Sequence, residues 1–93
     1  MTDAQDTITI DGFGTLMRDH TYEQPWYVAG DWRASLKASP CDGDVDGRMF
    51  IIAHVAGVTH SCIADTLHEA YSRLMASMSD EHAAAIRALG ERS

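Results

Sequence analysis

The sequence predicts an α+β domain: a small antiparallel sheet of three to five strands, with two C-terminal helices packed on one face. Three observations lead there. Short runs in the N-terminal part alternate apolar and polar residues with period two, as half-buried strands do. From Leu67 onward the period becomes helical, and Leu67, Ala70, Tyr71, Leu74, Met75 and Met78 share the i, i+3, i+4, i+7 spacing of one buried face. Clusters of Gly, Asp and Pro punctuate the runs where a chain must turn. The 93 residues, 45% of them hydrophobic, suffice for one domain over residues 1–93 but leave little core for a deep, water-excluding pocket.

Taken in order, Thr7-Ile8-Thr9-Ile10 alternates and reads as the first strand. Asp11-Gly12-Phe13-Gly14 is a turn cluster, and Thr15-Leu16-Met17-Arg18 returns as the partner of a hairpin. The polar segment from His20 to Gln24 is loop, closed by Pro25. Trp26-Tyr27-Val28-Ala29 has strong strand character. Gly30-Asp31 fits a two-residue hairpin turn with glycine first, because glycine reaches positive φ without steric cost. After it Trp32, Ala34, Leu36 and Ala38 alternate with Arg33, Ser35, Lys37 and Ser39, which places Trp32 on the apolar face of the next strand. A short helix capped by Asp31 competes for the same residues, because Ala, Leu and Lys favour helix.

Residues 40–47, Pro-Cys-Asp-Gly-Asp-Val-Asp-Gly, form a loop. The nearly continuous apolar run Met49–Val55 reads as a central strand covered on both faces. Gly57 breaks it, and residues 59–63 form a last short strand or an extended lead-in to the helix. Thr66 and Glu69 make a capping-box pattern, with Asp65 adding negative charge at the positive helix end. Ser79-Asp80-Glu81 opens a second helix that turns Ala83, Ile86 and Leu89 inward. Gly90 stops that helix, and Arg87 and Arg92 suit its C-terminal end.

Charge narrows the function classes. The net charge is −7, and Lys37 is the only lysine. Asp3, Asp6, Asp11, Asp19, Glu23, Asp31, Asp42, Asp44 and Asp46 face only Arg18, Arg33 and Lys37 in the N-terminal half. Such a balance opposes binding to phosphate backbones and favours a basic protein partner, including a groove built to hold nucleic acid. The same acidity also serves solubility. No apolar run is long enough to span a membrane, and Met1 to Asp6 lack the positive start and apolar core of a signal peptide. A cytoplasmic protein with Cys41 and Cys62 as reduced thiols is therefore expected.

Three residue sets invite a chemical reading. Asp42-x-Asp44-x-Asp46-Gly47 opens like a calcium-binding EF-hand loop, but Ala53 occupies the position where a bidentate Glu completes the coordination. An acidic hairpin loop is expected instead. His60 and Cys62, with His54 or His68, are the only soft-ligand group and leave a zinc-binding domain as a minor alternative, yet they lack a Cys-x-x-Cys or His-x-x-x-His pair. A His60–Cys62 nucleophile pair would need an orienting third group and an oxyanion hole, which the sequence does not announce. Trp26, Tyr27 and Trp32 flank the expected β-hairpin, where aromatic residues either pair as core or anchor a contact surface.

Residues 50–74, with Gly57-Val58-Thr59-His60 before Thr66-Leu67-His68-Glu69-Ala70, resemble the small phage-encoded anti-CRISPR proteins, in which a strand, a Gly-x-Thr-His turn and a Glu-Ala helix follow one another. Asp65-Thr66-Leu67-His68-Glu69-Ala70 also resembles the strand-to-helix passage of HicB-type antitoxin domains. The first resemblance implies an inhibitor that occupies a CRISPR surveillance complex or another nucleic-acid-binding host protein, in some members of the family by presenting carboxylates where DNA phosphates would lie. The second implies a regulator that neutralises a small toxin.

The expectation is a non-enzymatic, acidic protein-binding module, monomeric or homodimeric, without catalytic residues, cofactor or metal. Its partner would be a protein with a basic surface, reached through Asp31, Asp42, Asp44 and Asp46 with Trp26 or Trp32 as apolar anchor. Neither nucleic acid nor membrane would be contacted directly.

Overall fold

The computed structural model describes residues 6–91. The chain forms an antiparallel meander of six strands in sequence order: β1 (Thr7–Ile10), β2 (Gly14–Asp19), β3 (Trp26–Gly30), β4 (Ala34–Pro40), β5 (Met49–Val55) and β6 (Val58–Ala64). Two helices follow, α1 (Leu67–Ser77) and α2 (Asp80–Glu91). The class is α+β, as the change of period indicates, but the sheet has six strands where three to five are expected. Asp3 and Arg92 lie outside the described residues.

The sixth strand arises from the turn at Ala56-Gly57. Both residues have positive φ, 54° and 77°, the signature of the two-residue turn whose twist matches paired strands. The break after Val55 is thus a hairpin, and β6 pairs with β5 along its whole length, from Val55↔Val58 to Met49↔Ala64. An alanine in the left-handed region carries no obvious sequence signal, since that conformation favours Gly, Asn and Asp.

The turn between β3 and β4 also differs from expectation. The Asp31 amide donates to the Ala34 carbonyl at 2.9 Å, and the Asp31 Oδ1 accepts from the Arg33 amide at 2.9 Å. That side-chain turn keeps Asp31, Trp32 and Arg33 out of the ladder, which closes at Gly30↔Ser35. Trp32 therefore leaves the apolar face and is 83% exposed. Residues from Ala34 are strand, not helix, and the alternation of Leu36 and Ala38 inward holds.

One face of the sheet carries the core. Ile8, Ile10, Leu16, Tyr27, Leu36, Ala38, Met49, Ile51, Ala53 and Val55 project inward and are buried. Against them α1 buries Ala70, Tyr71, Leu74 and Met75, and α2 buries Ala83, Ile86 and Leu89. Full burial of each such aliphatic side chain stabilises the fold by about 1.5–3 kcal/mol relative to exposure. The Thr66 hydroxyl caps α1 by accepting from the Glu69 amide at 3.1 Å. The Glu69 carboxylate does not reciprocate; it takes Arg73 at 2.8 Å, four residues on. Gly90 does not end α2, which runs on to Glu91.

Among the described residues no helix lies over the opposite face. β5 is therefore covered on one side only: Phe50 and Ile52 are half-buried and His54 is exposed. Pairing between β2 and β3 is confined to Met17↔Val28, Arg18↔Tyr27 and Asp19↔Trp26. α1 packs on β5 and β6 and also touches β1, while α2 lies across β2, β3, β4 and β5. No helix among the described residues is long and apolar enough to cross a membrane.

Candidate contact surface

An antiparallel meander sends alternate connections to opposite ends of the sheet. The β2–β3 and β4–β5 connections and the passage from β6 to α1 thus share one end. Asp19, Glu23, Asp42, Asp44, Asp46 and Asp65 all lie there, and Asp6, just before β1, joins them. Basic side chains temper this end, among them Lys37, whose ammonium lies 6.0 Å from the Tyr22 ring centre. Arg48 lies 3.9 Å from Asp65, and His20 lies 3.6 Å from Asp6, both pairs well exposed. Exposed pairs of this kind contribute at most about 1 kcal/mol and leave the end acidic.

The loop from Cys41 to Arg48 is closed by the Cys41 amide donating to the Arg48 carbonyl at 2.9 Å. Within it the Asp44 carboxylate accepts the Asp46 amide at 2.9 Å, and the Gly47 amide donates to the Asp44 carbonyl at 3.0 Å. The Asp44 side chain thus orders the loop's own backbone, while Asp42 and Asp46 face solvent. At the end of β2, Thr21 donates its hydroxyl to Asp19 at 2.6 Å and its amide at 3.0 Å. These bonds favour the charged form and hold the Asp19 carboxyl below its ordinary range, with the Thr21 hydroxyl the larger cause.

Beside these carboxylates the open sheet face presents an aromatic row. The rings of Tyr22 and Trp26 lie 6.3 Å apart, and Trp26 meets Phe50 edge-on at 6.0 Å. Phe50 is paired across the ladder with Ile63, which is 53% exposed. Sequence reasoning found Trp26 here and missed Tyr22, Phe50 and Ile63. The alternation along β5 and β6 carries the signal for Phe50 and Ile63, once both are known to face away from the helices.

Trp32 and Asp31 sit elsewhere. They occupy the β3–β4 turn, separated from Asp42, Asp44 and Asp46 by the length of β4, about 20 Å for its seven residues. The structure thus brings Trp26 together with Asp42, Asp44 and Asp46 and leaves Asp31 and Trp32 at the far end. There Trp32 stacks under Arg33, whose guanidinium lies 5.4 Å from the ring centre. A shallow basin of about 430 Å³ runs along the open face from Asp19 to Trp32 over Val28 and Ile52.

On the helix side, His60 Nε2 lies 3.2 Å from His82 Nδ1, joining β6 to α2. Which ring donates depends on the tautomer of each imidazole. His54 lies on the opposite face, bonded to Thr59 at 3.3 Å, and His68 is exposed on α1. Cys41 and Cys62 are free thiols. Among the described residues no three His, Cys, Asp or Glu side chains converge as a metal site would require. No family model matches this chain, and no curated protein and no solved structure is similar to it.

Proposed function

We propose that this chain is a non-enzymatic protein-binding module that docks its acidic sheet end onto a basic, nucleic-acid-binding surface of a partner protein and blocks that surface. Asp19, Glu23, Asp42, Asp44 and Asp46 supply the charge, and Trp26 with Phe50 and Ile63 supplies the apolar anchor. The single observation that carries this reading is the shared placement of loop carboxylates and aromatic row at one end of an uncovered sheet face. Charge arranged this way steers encounter with a positive surface, and a large aromatic anchor holds the complex once formed. Asp31 and Trp32, at the other end, are not part of this surface. The inhibitor role follows the anti-CRISPR resemblance of residues 50–74, in which carboxylates stand in for phosphates.

The test is capture of partners from host lysate, with release by duplex DNA at fixed ionic strength. Changing Asp42, Asp44 and Asp46 together to Asn is expected to weaken capture roughly tenfold and flatten its salt dependence, because surface charges act mainly on the encounter. Trp32→Ala is expected to leave capture unchanged. Capture that ignores both the triple substitution and competing DNA would overturn the assignment.

A further inference from the structure

We propose that β6 is a self-association edge, and that two copies of this chain pair their β6 strands antiparallel about a two-fold axis through Ser61, joining the two sheets into one. The strand lies at the end of the sheet, with β5 on one side and, among the described residues, no strand on the other. It is seven residues long and pairs with β5 residue for residue, with no bulge to twist its free edge away. Its sequence, Val-Thr-His-Ser-Cys-Ile-Ala, contains neither proline, lysine nor any carboxylate. Those are the devices by which exposed edges are normally kept from pairing. The opposite edge, β1, is only four residues long.

The hydrogen-bond parity fixes which residues are free to pair. The turn at Ala56-Gly57 is a two-residue hairpin, so the closing pair Val55↔Val58 is hydrogen-bonded, and bonding then alternates along the ladder. Val58, His60, Cys62 and Ala64 direct their backbone groups at β5. Thr59, Ser61 and Ile63 direct theirs away from it, and the side chains of Thr59, Ser61 and Ile63 are exposed. An antiparallel copy centred on Ser61 sets Ser61 against Ser61 of the second copy and Thr59 against Ile63 of the second copy. Every outward-facing N–H and C=O of the strand is then matched, each pair exchanging two bonds. The pattern is self-complementary, as a two-fold interface requires.

Charge favours this occupant over a misaligned one. A parallel arrangement would set the two acidic sheet ends side by side in a chain of net charge −7. The antiparallel pairing places them at opposite extremities of the joined sheet, and the seam itself carries no ionised carboxylate. Ile63, 53% exposed in the single chain, gains cover from Thr59 of the second copy.

Sedimentation velocity over a rising concentration series tests the proposal. The wild-type chain is expected to approach twice its 10.2 kDa mass. Ser61→Pro removes an outward N–H while sparing the ladder to β5, and is expected to remain monomeric with an unchanged circular dichroism spectrum. Ser61→Lys, which sets two like charges against each other across the axis, gives a second route to the monomer should the proline variant fail to fold. The register is read by mild oxidation in a Cys41→Ser, Cys62→Ser background. Ser61→Cys should cross-link, since its pair lies about 5.5 Å apart at Cα, within reach of a disulfide. Thr59→Cys should not, being displaced about 13 Å from its own counterpart. A wild-type chain that stays monomeric, including one whose edge takes up only a foreign strand, overturns the proposal. So does a dimer indifferent to both Ser61 variants, or equal cross-linking at the two positions.

Discussion

Gly90 in α2 packs against the backbone carbonyl of Phe13 so closely that a Cβ on Gly90 would overlap the Phe13 oxygen. The contact seats the end of α2 on the turn between β1 and β2, where Phe13 also meets Tyr71 of α1 with ring centres 5.7 Å apart. The glycine that looks like a helix stop in the sequence is instead a point of close approach between two elements.

Gly90→Ala therefore sets two effects against each other. Alanine favours the helix by about 1 kcal/mol. Forcing a methyl group into backbone costs about 1–3 kcal/mol, because the carbonyl cannot yield without moving the turn. The steric cost is expected to win, giving a net loss of about 1 kcal/mol in urea unfolding.

At the β5–β6 turn the balance runs the other way. Ala56 is the non-glycine residue with positive φ among the described residues, at 54°. Ala56→Asn supplies the residue that this turn type prefers beside Gly57 and is expected to stabilise the fold by about 0.5–1 kcal/mol. Thermal unfolding measures it, and a destabilised variant would show that the alanine methyl group carries a contact of its own.

The hydroxyl of Tyr71 is buried and has no hydrogen-bond partner among the described residues. Burial pushes its ionisation upward, offset in part by Arg87. Tyr71→Phe keeps the ring against Phe13 and removes the unpaired group, so stability should be unchanged or rise by about 1 kcal/mol. The pH dependence has a fixed sign. Because the folded value lies above the unfolded one, stability is fully present below pH 10.0 and is lost as pH rises through the folded value. Tyr71→Phe should flatten that alkaline loss.

Asp19 titrates in the other direction. Its folded value lies below 3.8, so the associated stability is present above that pH and is lost as pH falls through the folded value. Thr21→Val removes the hydroxyl bond and keeps the amide bond, and is expected to return the Asp19 titration part of the way toward 3.8 in an NMR series. A titration that does not move would assign the shift to the backbone amide and the neighbouring Lys37 charge.

Local chemistry by itself determined the strand runs, the capped α1 with its buried Ala70, Tyr71, Leu74 and Met75, and the inward face of α2. It did so because periodicity and capping are properties of neighbours in the chain. It also determined the acidity of the loops at Asp42, Asp44 and Asp46. Only the tertiary structure decided that Ala56-Gly57 is a hairpin turn, that Trp32 leaves the strand for an Asp31-held turn, and that Gly90 meets Phe13. Left-handed alanine and close backbone approach depend on residues distant in sequence. Only the meander, too, decided that Trp26 stands with Asp42, Asp44 and Asp46 while Asp31 stands apart. The end of the sheet that a loop occupies depends on which strands pair and in which sense, and pairing joins residues distant in sequence.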